Sequence, residues 1–122
     1  TAATAAPSGV SDTLYSVSGS GATNLWAVGD RGRILHSDGT TWALDAAGSA
    51  LTTSALYAAT VTANGTVYAV GDNGVLLRYS SQTWKALDSG TIAALRAVFV
   101  SSGGDVLFAG NGGSILRLRA SQ

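Results

Sequence analysis

The chain has no cysteine and no methionine, and its seven acidic residues are all aspartate. Without cysteine there are no disulfides and no thiolate metal sites, and the redox compartment is left unread. Charge is scarce as well, at 11% of 122 residues, with seven basic side chains offsetting the seven Asp. A net charge of zero excludes partners held by bulk charge, such as nucleic acid or an anionic membrane surface. No apolar run approaches the roughly 18–20 residues that cross a bilayer, so membrane insertion is not expected. Catalytic material is equally thin. A neutral-pH general acid is usually a Glu, a His or a buried Asp, and glycoside hydrolysis uses a pair of carboxyl groups. Glu is absent, His36 stands alone, and several Asp sit in turn-like contexts.

What is present is apolar residues and glycine. The hydrophobic share is 46%, which excludes a disordered chain, and there are 16 Gly. The length is that of one domain. The opening TAATAAPSG is rich in Ala, Thr and Ser. Such a stretch follows a secretory cleavage or links two domains, and the first favours a secreted or periplasmic location.

Internal repetition is the dominant signal. LYSVSGSGATNLWAVGDRGRILHSDGTTW starts at Leu14 and LYAATVTANGTVYAVGDNGVLLRYSSQTW at Leu56, an ungapped offset of 42 with 10 identities over 29 positions. A third copy, LRAVFVSSGGDVLFAGNGGSILRL, starts at Leu95, 39 residues further on. Each copy reads as short strands between turns. In the first these are Leu14–Ser18, Leu25–Val28, Arg33–Ser37 and Thr41–Leu44, with turns at Gly19–Asn24, Gly29–Gly32 and Asp38-Gly39. Gly supplies positive φ at such turns, and Asp or Asn bonds the nearby backbone. Apolar residues nowhere recur at helical spacing, so no helix is expected. Four strands in about 40 residues, repeated, is the period of a β-propeller blade.

The third copy ends after three strands. Its 28 residues and the 13 that precede Leu14 together make one repeat length. The expectation is therefore an all-β propeller over residues 1–122, with three four-stranded blades per chain. Residues 1–13 would supply the closing strand and loop, covering a bare sheet edge. Propellers have about 4–8 blades, so a homodimer closing a six-bladed ring by strand exchange is the assembly expected.

LWAVGDRGRILHSDGTTW and VYAVGDNGVLLRYSSQTW resemble the propeller repeats of the photosystem II assembly and stability factor family. They resemble still more the bacterial propeller repeats written roughly vWAVGdnGtilhydGttW. The hairpin Ser37-Asp38-Gly39-Thr40-Thr41-Trp42 is similar to a shortened Asp-box of sialidase-type repeats. The second copy departs from it at Tyr79-Ser80-Ser81-Gln82-Thr83-Trp84, which has no Asp. The resemblance covers about residues 10–119. It implies a propeller fold and a non-enzymatic binding or assembly platform, although propellers host unrelated functions.

Candidate sites fall on repeat positions. His36, Arg78 and Arg117 share one, either as an anion-binding girdle of planar donors or as solvated residues alternating with Leu35, Leu77 and Leu116. Trp26, Tyr68 and Leu107 share another, as do Trp42 and Trp84. These aromatics would stack on sugar rings or pack between blades. Arg96 replaces Tyr15 and Tyr57 on the strand nearest the axis, where it would line a channel or form an ion pair. Asp30, Asp72 and Asn111 follow the second strand beside Gly32, Gly74 and Gly113. They read as turn residues making local backbone hydrogen bonds, with a carboxylate ring for cations or sugar hydroxyls as the alternative. Asp38 reads as a hairpin staple. Gly110-Asn111-Gly112-Gly113 lacks the Lys-Ser/Thr and the helix of a phosphate loop. No catalytic residue, metal site or cofactor is expected. The function expected is a non-catalytic binding or scaffold module that self-assembles into a ring and takes a protein or carbohydrate ligand. A carbohydrate-binding lectin and a fragment of a sialidase-type hydrolase are the alternatives.

Overall fold

A computed structural model describes residues 5–119. Blade 1 is built from β1 (Leu14–Gly21), β2 (Asn24–Gly29), β3 (Ile34–Ser37) and β4 (Trp42–Leu44), in that order across one antiparallel sheet. Blade 2 repeats the pattern with β5 (Leu56–Val61), β6 (Val67–Gly71), β7 (Leu76–Ser80) and β8 (Thr83–Leu87). Blade 3 has three strands, β9 (Leu95–Val100), β10 (Val106–Gly110) and β11 (Ile115–Leu118). The innermost strands β1, β5 and β9 lie side by side. This is part of a β-propeller.

Strand registry decides which side chains meet which neighbour. In blade 2, Thr60, Tyr68, Arg78 and Lys85 stand opposite one another in a row on one face, and Ala59, Ala69, Leu77 and Ala86 on the other. Alternation along each strand then gives every blade two faces, one toward each neighbour. Trp26, Val28 and Ile34 of blade 1 pack on Leu56, Ala59, Val67, Ala69, Leu77 and Trp84 of blade 2. Tyr68, Val70 and Leu76 of blade 2 pack in turn on Leu95, Val106 and Phe108 of blade 3. Advancing Trp26, Val28 and Ile34 by 42 residues yields Tyr68, Val70 and Leu76, so the two seams are one interface repeated.

A tight 3-10 turn separates the second and third strands of each blade. The backbone C=O of Asp30, Asp72 and Asn111 accepts from the N–H three residues on, at 3.1, 3.1 and 3.3 Å. Two successive left-handed residues reverse the chain, Arg31 and Gly32 (φ 58 and 73) in blade 1 and Asn73 and Gly74 (φ 60 and 72) in blade 2. Gly32 and Gly74 are required there twice over. A Cβ at either would also lie 2.1 Å from the Thr52 carbonyl or 1.8 Å from that of Thr91.

Two sequence expectations change. The link after β4 contains one helical turn, α1 (Ala46–Ser49), where none was expected. Four residues are too few to show periodicity, and the turn exists because Asp45 accepts from the Gly48 N–H at 2.9 Å. The first hairpin is also tighter, since Gly19 and Gly21 stay paired with Leu25 and Asn24, leaving Ala22-Thr23 as the turn. Residues 1–4 of the expected closing strand lie outside the described residues, and within one chain residues 5–13 form no strand. They take the course of an interblade connection. Thr13 C=O accepts from Asp30 N–H just as Ala55 and Ala94 accept from Asp72 and Asn111, all at 2.9 Å. Asp12 pins it further, binding Arg31 Nη2 at 2.7 Å and Arg33 Nε at 2.6 Å.

Candidate functional site

His36, Arg78 and Arg117 occupy equivalent sites on their third strands, and the residues twelve positions earlier, Asn24, Thr66 and Asp105, stand at the start of the second strand or just before it. His36 Nε2 is hydrogen-bonded to Asn24 Oδ1 at 2.8 Å, and its ring lies 4.1 Å from that of Trp26. Arg117 donates Nε and Nη2 to Asp105 Oδ2 at 2.9 and 2.5 Å. In blade 2 the same place is held by Thr66, which is not a charged acceptor. Arg78 therefore makes no hydrogen bond or ion pair within the described residues, and Lys85 stands opposite it on β8. Of the three residues weighed as a girdle or as solvated positions, His36 is held by an amide and Arg117 by a carboxylate of its own blade, and Arg78 by neither.

Arg78 lines a cleft of about 470 Å³ between blades 2 and 3, at the end that carries the β5–β6 and β9–β10 hairpins. The hairpin Thr62–Thr66 and Ser80 form one wall, and Ser101, Ser102, Gly104 and Arg119 the other. Tyr68 and Val106 floor it, and no Asp lines it. The cleft thus presents two guanidinium groups and several hydroxyls, a donor-rich environment for an anionic group.

A second constellation runs along the inner strands. Tyr15 donates its hydroxyl to Asp30 Oδ1 at 2.8 Å, Arg96 donates Nε to Asn111 Oδ1 at 2.8 Å, and between them Tyr57 lies near the Asp72 carboxylate. The rings of Tyr15 and Tyr57 meet edge to face at 5.2 Å, and the Arg96 guanidinium lies 4.7 Å from the Tyr57 centroid. Arg96 is exposed on this line, held by an amide and an aromatic face rather than by an ion pair. The bond to Asp30 holds the Tyr15 phenol above its ordinary value, while burial and then the nearby Asp72 raise Tyr57. Asp30, Asp72 and Asn111 serve the turn through their backbone carbonyls, and the side chains of Asp30 and Asn111 hold the residue fifteen positions earlier as well.

The aromatic candidates divide in the same way. Trp26 is 2% exposed and wedged between the rings of His36, Tyr79 and Trp84, so it offers no free face to a sugar. Tyr68 is 8% exposed and packs edge-on to Phe108, showing only its rim to the cleft. Asp38 staples its hairpin, accepting from Thr40 and Thr41 N–H at 2.9 and 3.1 Å. These two backbone bonds hold its carboxyl below the ordinary Asp value. Sequence reading passed over Thr66 and Arg119. The signal for Thr66 was present in the repeat, where Asn24 and Asp105 flank a Thr in the middle copy.

No family model matches the chain, and no curated protein matches it. Solved structures do. The chain is similar to YCF48 bound to D1 peptide, with 24% identity and a TM-score of 0.66 over 91% of this chain and 38% of that one. It is also similar to YCF48 from Cyanidioschyzon merolae, with 20% identity and a TM-score of 0.58 over 87% of this chain and 39% of the other. The chain thus spans less than two-fifths of the length of these propellers. Its likeness to them, at this identity, is one of fold.

Proposed function

We propose that this chain is a non-catalytic propeller module that binds an acidic segment of a partner protein in the cleft between blades 2 and 3. It does so as part of a ring that two copies of the chain close with six blades. The observation that carries the binding reading is Arg78. Its equivalents His36 and Arg117 have an acceptor within their own blades, whereas Arg78 faces Thr66 and opens into a cleft that also holds Arg119. A carboxylate from a ligand would complete in blade 2 the pair that Asp105 completes in blade 3. A solved propeller of this fold is described with a bound peptide, which supports a protein ligand over a sugar. The burial of Trp26 and Tyr68 weighs in the same direction.

Fluorescence anisotropy with a labelled oligo-aspartate peptide tests this reading. Wild-type chain should bind it and not an oligo-lysine peptide. Arg78→Ala should weaken binding at least tenfold, the scale of one charge-assisted hydrogen bond. Thr66→Asp, which supplies an internal acceptor, should do the same without lowering the melting temperature. Equal binding by wild type and both variants, or no binding by wild type, overturns the assignment.

A further inference from the structure

We infer that the bare face of blade 3 docks on the outer face of blade 1 of a second copy, forming a seam of the same kind as the two inside the chain. The inference rests on the ring proposed above and names its joint. Blade 3 presents Ala97, Phe99, Leu107, Ala109 and Ile115 on the face away from blade 2, in rows defined by strand pairing. They are the repeat equivalents of Ala58, Thr60, Tyr68, Val70 and Leu76, of which all but Thr60 pack in the seam with blade 3. Phe99 is 66% exposed where Thr60 is half-buried, and Ile115 is 72% exposed where Leu76 is buried. The only charge among these rows, Arg117, is already paired with Asp105, so closing the seam strands no cation.

Blade 1 presents the complementary half. Leu14, Val17 and Trp42, exposed or half-buried over the already buried Ala27 and Leu35, correspond to Leu56, Ala59 and Trp84, which receive blade 1 within the chain together with Ala69 and Leu77. Val17 is 65% exposed, and Ala6 and Ser8 border an apolar hollow of about 370 Å³ over this face. Residues 5–13 already run as an interblade connection does, so this side is laid out to follow a preceding blade. The contact is head to tail, and two copies related by a two-fold axis close it. The line Tyr15–Tyr57–Arg96 would then continue to Tyr15 of the second copy.

The absence of cysteine makes the seam directly testable. Within the chain Ala59 N–H donates to Ser16 Oγ at 3.3 Å. One blade further on that pair becomes Ala58 and Val98, and one further still Ala97 and Val17 of the second copy. A chain carrying both Val17→Cys and Ala97→Cys should oxidise to a covalent dimer, while either single variant stays a monomer on a non-reducing gel. Ile115→Glu should halve the native mass without changing the circular dichroism spectrum. Light scattering on the unmodified chain tests the ring by itself, with twice 12.2 kDa expected. A native monomer overturns both ring and seam and assigns the two faces to further blades of a longer chain. A native dimer that cross-links as readily through Val17→Cys alone, or fails to cross-link in the double variant, overturns the seam and leaves the ring standing.

Discussion

Trp84 donates its indole N–H to Asp45 Oδ2 at 3.1 Å, tying the last strand of blade 2 to the helical turn that follows blade 1. The other oxygen of the same carboxylate caps that turn by accepting from Gly48 N–H. Asp45→Ala removes both bonds and should cost about 1–3 kcal/mol, read from urea unfolding. Asp45→Asn keeps one carbonyl oxygen for the cap but turns an amide toward the indole donor, and should fall between the two. Asp45→Asn as stable as the wild type, with Asp45→Ala below both, would mean that the indole contact contributes nothing.

The left-handed turns make a sharper contrast. Gly74→Ala combines a φ of +72 with a Cβ set 1.8 Å from the Thr91 carbonyl, and should cost about 2–4 kcal/mol. Gly112 also has positive φ, at +69, but has nothing within 4 Å of where its Cβ would lie. Its equivalents are Arg31 and Asn73. Gly112→Asn should therefore change stability by no more than about 1 kcal/mol, and toward stabilisation, because it restricts the unfolded chain. Thermal unfolding of the two variants side by side checks the turn geometry.

Acid should loosen the start of blade 1. Asp12, its side chain 8% exposed, is held below the ordinary Asp value of 3.8, first by the Arg31 hydrogen bond and then by Arg33. A depressed folded pKa contributes stability that is present above 3.8 and lost as pH falls through the lower folded value. Asp38, lowered by its two backbone bonds, acts in the same direction. Asp12→Asn should therefore flatten the fall in melting temperature between about pH 4 and pH 2, leaving the part due to Asp38.

Alkali acts on the inner strands. Tyr15 and Tyr57 are both raised above the ordinary value of 10.0, Tyr15 chiefly by its bond to Asp30. Raised folded values mean that this stability is complete below pH 10 and lost as pH rises through them. Ultraviolet titration of the folded chain should show late-ionising tyrosines, and Tyr15→Phe should remove one of them. A single titration step at the free-phenol value would contradict the Tyr15–Asp30 contact.

Much of this architecture was legible in the chain because repetition is a one-dimensional signal. Three copies in register established the blades, the turn glycines and the packing aromatics, since a period of two within strands forces alternate residues toward alternate neighbours. Polar partnerships were not legible. Nothing local reveals that Asp30 and Asn111 reach back fifteen residues, that Asp45 crosses to the next blade, or that Asp12 clamps two arginines.

By itself, then, the sequence determined the fold class and the repeat of the blades, because periodicity suffices for both. The tertiary structure decided which repeat-equivalent residues are spent on their own blades and which face outward. That outcome depends on whether a neighbour twelve, fifteen or thirty-nine residues away offers an acceptor within about 3 Å, a distance only the folded chain defines.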